Sequence, residues 1–305
     1  MKSFSSVPRK TILKTKKLLA DIKISTSPIT LNYFKLFKSV KGKIGLIAGF
    51  GKLPLEFKKS ALKKGYEVLT VGVEGITDFD CDYVIPFGKV GRLIKILEEE
   101  KTHSLVMLGK FEHRFALTDV FRFDVTGFQI LSKAKDRKPE TLIKTFMEYM
   151  EKRGFKFIDP KPFLENILAD RGSMTRRKPD KKTLEEALWA FKIAKTIASM
   201  DVGQTIVVKD KAVVAVEAME GTQETIKRGG SIAGKGCIVV KVARKNQDFR
   251  IDVPTVGEET LKVMKEVGAK ALFLEEGKVF IVEKEDFLKR ADELGICVYG
   301  IHSRE

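Results

Sequence analysis

Lys43-Ile44-Gly45-Leu46-Ile47-Ala48-Gly49-Phe50-Gly51-Lys52-Leu53-Pro54 reads as a short apolar strand, a glycine-bounded turn and the opening of a helix that Gly65 closes. An uninterrupted apolar strand followed at once by a helix is the unit of a parallel sheet covered on both faces. Working outward, the same alternation continues. The pattern predicts a helix from Pro54 to Lys64, strands at Glu67–Val71 and Tyr83–Ile85, a helix at Gly88–Lys101 and a strand at Ser104–Leu108. Helical stretches near Phe128–Ala134 and Glu140–Arg153 then lead to Lys156–Ile158.

The pattern changes after Asp170–Lys182, a run dense in Arg, Lys, Gly and Pro that reads as a linker or a loop facing a second domain. Beyond it come a helix at Lys182–Met200, an antiparallel pair at Gln204–Val208 and Ala212–Ala218 joined by Lys209-Asp210-Lys211, and a buried strand at Gly236–Ala243. The tail reads as helix Glu258–Val267, strand Ala271–Leu274, turn Glu276-Gly277, strand Lys278–Val282, helix Glu285–Leu294 and strand Ile296–Ile301. The expected architecture is α/β: a basic extension over 1–42, a Rossmann-like parallel-sheet domain over 43–168, and a mixed α/β catalytic domain over 169–305.

A formal charge of +16 suggests nucleic acid until its distribution is examined. Residues 1–43 hold eleven Lys or Arg against the single acid Asp21, which leaves only +6 for the remaining 262 residues. A modest excess on a Lys- and Glu-rich body is ordinary, so a nucleic-acid partner is not expected. Three readings of the basic segment stay open: an amphipathic stretch resting on anionic lipid, an ordered arm, or added upstream sequence. Cys81, Cys237 and Cys297 form neither a C-x-x-C pair nor a disulfide framework, which points to a reducing cytoplasm. No apolar run approaches the roughly 20 residues that span a bilayer.

Gly49-Phe-Gly51 before a helix could receive a phosphate through backbone N–H groups. As a dinucleotide fingerprint it is poor, because Pro54 stands where the third glycine belongs and Glu74, at the spacing of a ribose-binding acid, sits in a turn. Charged residues at strand ends are better placed for a ligand: Glu217 and Glu220 before Gly221-Thr222, Lys241 after an apolar run, and Asp252 in Asp252-Val-Pro254-Thr-Val-Gly257. Each also has a plain structural reading, as a turn or a solvated strand residue. Lys241 is the least comfortable of these, since a buried ammonium needs a partner. His103, His113 and His302 lack metal-ligand spacing, which argues against binuclear metallophosphatase chemistry.

Five motifs in order carry a resemblance: Ile44-Gly-Leu-Ile-Ala-Gly-Phe-Gly-Lys-Leu-Pro54, Gly172-Ser-Met-Thr175, Asp201-Val-Gly-Gln204, Val216-Glu-Ala-Met-Glu-Gly-Thr222 and Ile251-Asp-Val-Pro-Thr-Val-Gly257. Over about residues 43–302 the chain resembles the UDP-2,3-diacylglucosamine pyrophosphatases of lipid A synthesis that are unrelated to calcineurin-like metallophosphoesterases. It departs from their usual pattern at Phe50, Met174 and Gln223 and in its N-terminal extension. The resemblance implies Mg²⁺-dependent hydrolysis to UMP and 2,3-diacylglucosamine 1-phosphate, with attack on the sugar-side phosphorus and the lipid substrate held between the domains. It places Asp252 as catalytic residue and Mg²⁺ ligand. Gly49, Gly51, Leu53, Pro54, Thr175, Gln204, Glu217, Glu220, Gly221 and Thr222 fall to substrate binding, and Lys241 joins Asp252 in catalysis. A homodimer and peripheral contact with the inner membrane surface stay open. The rival readings are a nucleotide-dependent oxidoreductase, resting on the glycine turn, and a nucleic-acid-binding protein, resting on charge.

Overall fold

The computed structural model describes residues 41–111, 123–136 and 139–302. The extension over residues 1–40, and His113, lie outside these. The first sheet is wholly parallel, with strands β1 (Lys43–Ala48), β2 (Glu67–Val73), β3 (Tyr83–Ile85), β4 (Ser104–Leu108) and β5 (Lys156–Phe157) in the order β3-β2-β1-β4-β5. β1 pairs with β2 on one side and β4 on the other, so the chain reverses direction across the sheet beside β1. That switch point opens a crevice at the carboxyl ends of the strands.

Both faces are covered, as the unbroken apolar run of β1 requires. Helix α1 (Leu53–Lys63) buries Leu53, Phe57 and Ala61 against Ile44, Leu46 and Val106. Helices α2 (Val90–Glu99), α3 (Val125–Lys133) and α4 (Pro139–Glu151) take the opposite face, where Leu93, Leu97 and Met150 meet Ile47, Leu69 and Val71. The expected Rossmann-like sheet is therefore present.

The second sheet is mixed and has six strands, β6 (Gly172–Ser173), β7 (Thr205–Lys209), β8 (Ala212–Val216), β9 (Ile238–Lys241), β11 (Ala271–Glu275) and β13 (Cys297–Ile301), ordered β6-β13-β11-β9-β7-β8. Side chains alternate across it. Val207, Val239, Leu272 and Val298 face helices α6 (Thr222–Ala233), α7 (Glu258–Glu266) and α8 (Lys284–Leu294), while Ile206, Ile238, Val240 and Phe273 face α5 (Lys181–Ser199). The period-2 pattern thus serves a sheet buried on both sides.

Three sequence expectations change here. The stretch over 170–182 is not a linker: β6 pairs antiparallel with β13, Tyr299 opposite Ser173, and Asp180 caps α5 by accepting a bond from the Thr183 amide. The strand expected at Lys278–Val282 is shorter. Its core, β12 (Phe280–Ile281), pairs with β10 (Thr255–Val256) in a separate parallel ribbon. Helix α6 was not expected at all, because Gly229 and Gly230 weaken its helical signal.

Those two glycines are there for close approach. A Cβ on Gly229 would lie 2.6 Å from the Val207 side chain, and one on Gly230 would lie 2.2 Å from Val267. The helix sits tight between β7 and the end of α7 for that reason. Gly230→Ala should lower stability by about 1–3 kcal/mol in urea unfolding through overpacking, whereas Ser231→Ala, at an exposed position of the same helix, should be near neutral. Equal effects would show that helix propensity alone governs the position.

Candidate active site

The carboxyl ends of β1, β4 and β9 and the chain over residues 251–260 enclose a cleft of about 820 Å³. Of the positions singled out from sequence, Gly51, Leu53, Gln204, Glu217, Gly221, Thr222, Lys241 and Asp252 line it. Gly49, Pro54, Thr175 and Glu220 do not.

Gly49 acts by thinness: a Cβ there would sit 2.7 Å from the Lys110 carbonyl oxygen, so the glycine lets the β1 and β4 ends cross closely. Pro54 is buried in the first turn of α1. Thr175 accepts a bond from the Val298 amide (2.9 Å) and donates to the Arg177 carbonyl (3.0 Å), which ties β6 to β13. Glu220 pairs with Arg228 at 2.6 Å.

The glycine turn is largely spoken for. The Gly49 amide donates to the Leu108 carbonyl and the Phe50 amide to the Lys110 carbonyl, and the Gly51 amide donates to Asp78 Oδ1 at 3.0 Å. It shapes the cleft wall without offering these three donors to a phosphate. Glu74 is exposed and forms no part of the wall, so the dinucleotide reading gains nothing from it.

On the opposite wall, a buried relay runs through Lys241, Thr222 and Glu217. Lys241 Nζ donates to Thr222 Oγ1 at 2.6 Å, and Thr222 Oγ1 donates to Glu217 Oε1 at 2.8 Å. Thr205 Oγ1 stands 3.4 Å from the same ammonium. The partner that the apolar run of β9 demanded is therefore supplied from β7, α6 and the end of β8. Burial pushes the Glu217 carboxyl up, but the Lys241 charge and the hydrogen bonds from Thr205, Thr222 and the Gln204 amide outweigh it and hold its pKa below the ordinary value.

Asp252 is held from one side. Gln204 Nε2 donates to Oδ2 at 2.5 Å, Gln247 Nε2 approaches it at 3.4 Å, and Arg244 stands 3.9 Å from the same oxygen. None of these contacts falls on Oδ1. Gln247 also donates to the Asp252 carbonyl (2.7 Å) and accepts from the Arg244 amide (3.0 Å), so one amide side chain sets both residues. Arg244 in turn reaches Asp201 at 2.7 Å and Glu140 of α4 at 3.5 Å. The sequence reading missed Arg244 and Gln247. Their signal was a polar loop straight after a buried strand, the place where open α/β sheets carry ligand contacts.

Two buried oxygens on this wall, Gln204 Oε1 and Glu217 Oε2, have no hydrogen-bond partner within the protein. Buried acceptors of this kind call for a donor or a cation. Among the described residues no group of three or more His, Cys, Asp or Glu side chains could hold a metal by itself. The donor set instead fits Mg²⁺, which commonly takes one or two carboxylates and completes its shell with phosphate and water oxygens. Of the Asp252 carboxylate, the oxygen that the contacts above leave free is Oδ1.

The arrangement is that of a two-sheet α/β protein with a mixed-charge cleft at the switch point of its parallel sheet, suited to a phosphorylated ligand. Residues 43–167 match the family model of the LpxI N-terminal domain and residues 170–299 that of the LpxI C-terminal domain. The chain belongs to the LpxI family. A relative from Caulobacter vibrioides, named UDP-2,3-diacylglucosamine pyrophosphatase LpxI, is 25% identical over 278 residues, covering 86% of this chain and 99% of that protein.

The folded-state pKa of Glu217 lies below the roughly 4.3 of an unfolded glutamate. Its ionisation therefore contributes stability that is fully present above the unfolded pKa and lost as pH falls through the folded one. Urea unfolding of the wild type and Glu217→Gln should differ most at neutral pH and converge as pH falls through the folded-state pKa. A difference that stays constant with pH would remove Glu217 from the acid dependence.

Proposed function

We propose that this protein hydrolyses the pyrophosphate of UDP-2,3-diacylglucosamine to UMP and 2,3-diacylglucosamine 1-phosphate, a step of lipid A synthesis. The observation that carries the reading is Asp252, anchored through one oxygen beside Arg244 in a cleft bounded by both sheets. An anchored carboxylate next to a guanidinium suits a reaction in which water is deprotonated beside a charged phosphate.

In this reading Asp252 orients a water and accepts its proton as the oxygen attacks the sugar-side phosphorus. The bond from that phosphorus to the bridging oxygen breaks, and the bridging oxygen leaves with UMP. Arg244 lies where it can exchange a carboxylate partner for a phosphate oxygen in bidentate contact. Lys241 adds fixed positive charge from below, and Glu217 Oε2 and Gln204 Oε1 accept donors from the ligand. Bound Mg²⁺ would supply neutralisation of the charge that develops on the phosphate oxygens.

Two acyl chains need apolar space. A second cavity of about 180 Å³, almost entirely apolar, lies between the first sheet and helices α2, α3 and α4, and shares Met107 and Phe111 with the main cleft. It is the natural receptacle for one chain. No helix among the described residues is long and apolar enough to cross a membrane.

Release of UMP from the purified protein, with and without Mg²⁺, is the direct assay. Asp252→Ala should stay folded and bind substrate while turnover falls roughly 10²-fold or more, and oxygen label from water should appear in the sugar phosphate. Near-normal turnover in that variant, or label in UMP, would refute the assignment. Filling the apolar cavity with Ile130→Trp should shift the preferred acyl chain to a shorter length by several carbons. An unchanged chain-length profile would place the chains elsewhere.

A further inference from the structure

The chain leaves β9, passes Arg244, runs round a loop and returns to the cleft at Asp252, so two residues apart in sequence line the same wall. A loop can close in many ways, and the reaction proposed above needs one of them held, because misplacing a reacting group by about 1 Å can cost roughly 10²-fold in rate. The far turn braces itself. The Asp248 carbonyl accepts from the Ile251 and Asp252 amides at 3.0 and 3.2 Å, and the Asp248 carboxylate takes the Arg250 guanidinium in a fork at 2.9 and 2.7 Å. These contacts shape the turn and do not reach Arg244.

Half-buried Gln247 does reach it. Its Oε1 accepts from the Arg244 amide at 3.0 Å, while its Nε2 donates to the Asp252 carbonyl at 2.7 Å and approaches Asp252 Oδ2 at 3.4 Å. The Arg244 amide can only donate and the Asp252 carbonyl can only accept, so the partners assign the two ends of the glutamine. No ionised side chain could take both roles: lysine offers donors alone, glutamate acceptors alone, and asparagine has a shorter reach. Gln247 does not line the cleft, so any part it plays in turnover passes through the residues it ties together.

We propose that Gln247 is a positioning residue for the hydrolysis: it fixes the backbone of Asp252 relative to that of Arg244, so that the water oriented by Asp252 meets the phosphate held by Arg244. The two side-chain heads have holders of their own, Asp201 on the Arg244 guanidinium at 2.7 Å and Gln204 on Asp252 Oδ2 at 2.5 Å. Gln247 ties together the chain that carries them. The inference rests on the reaction proposed above, with Asp252 as its base.

The test is a double-mutant cycle on the full chain, read as UMP release. Gln247→Leu keeps the bulk of the side chain and removes donor and acceptor together, and its kcat should fall about tenfold, by a larger factor than KM rises. In the Asp252→Ala background the same substitution should change kcat by less than about twofold, because the group it positions is gone. Gln247→Asn, which keeps the amide on a shorter stem, should show the same coupling in milder form and serves if the leucine variant does not fold. Asn246→Ala, exposed in the same loop, should match the wild type. Unchanged kcat in both Gln247 variants, a loss confined to the thermal midpoint, or an equal loss with and without Asp252 overturns the inference and leaves Gln247 a structural residue. Near-normal turnover in Asp252→Ala, or no UMP release by the wild type, would instead overturn the proposed reaction.

Discussion

A lysine ammonium buried at the end of an apolar strand is the constraint on which the second half of this protein depends. Lys241 follows Ile238, Val239 and Val240, all with no exposed surface, and its charge has to be met where it stands, because an unpaired buried ion costs more than most folds can supply. Its compensation comes from three separate elements: Thr205 on β7, Glu217 beyond β8 and Thr222 at the first position of α6. Each must arrive in register for the others to be satisfied. The antiparallel pairing of β7 with β9 sets Thr205 directly opposite Lys241. Gly229 and Gly230 then let α6 close far enough to bring Thr222 into the relay.

The same logic extends to the loop that holds Asp252 in the cleft wall. Glu275, with no exposed surface, accepts from the Ala243 amide at 2.8 Å and pairs with Lys195 of α5 and with Lys278 at 2.9 and 3.0 Å. This buried carboxylate fixes the chain one residue before Arg244. From there Gln247 bonds both the Arg244 amide and Asp252. A path of satisfied polar groups therefore leads from the sheet interior to the Asp252 carboxylate in the cleft, which inherits the rigidity of the core.

The parts of this design legible in sequence are those whose signal is local. The run from Lys43 to Pro54 announces strand, turn and helix through apolar continuity and proline placement, and β3 was placed to the residue. Asp252, Glu217 and Lys241 were visible because charge at a strand end is conspicuous, and the fold does bring them to one cleft. What was hidden depends on partners distant in sequence. Arg244 looks like one more cation in a basic chain until Asp201 and Glu140 are seen around it. Thr175 sits in a motif with a ligand-like look, yet its hydroxyl is consumed by β13. Helix α6 was lost because packing, and not propensity, decides its glycines.

The cleft has walls from both sheets, and the contacts between those walls differ in kind. Phe280 of β12 is fully buried among Ile44, Phe57 and Phe163 of the first half, and Phe249 packs edge-on against it at 5.6 Å. That seam is apolar and close-packed, so it costs free energy to open. The halves also meet through partly exposed ion pairs, Lys52 with Glu283, Arg244 with Glu140 and Arg250 with Glu151. Such pairs contribute only about 0–1 kcal/mol each. The apolar seam is therefore the costlier of the two sets of contacts to separate. Arg244 takes part in that second set, so a phosphate that drew it from Glu140 would break one of these pairs.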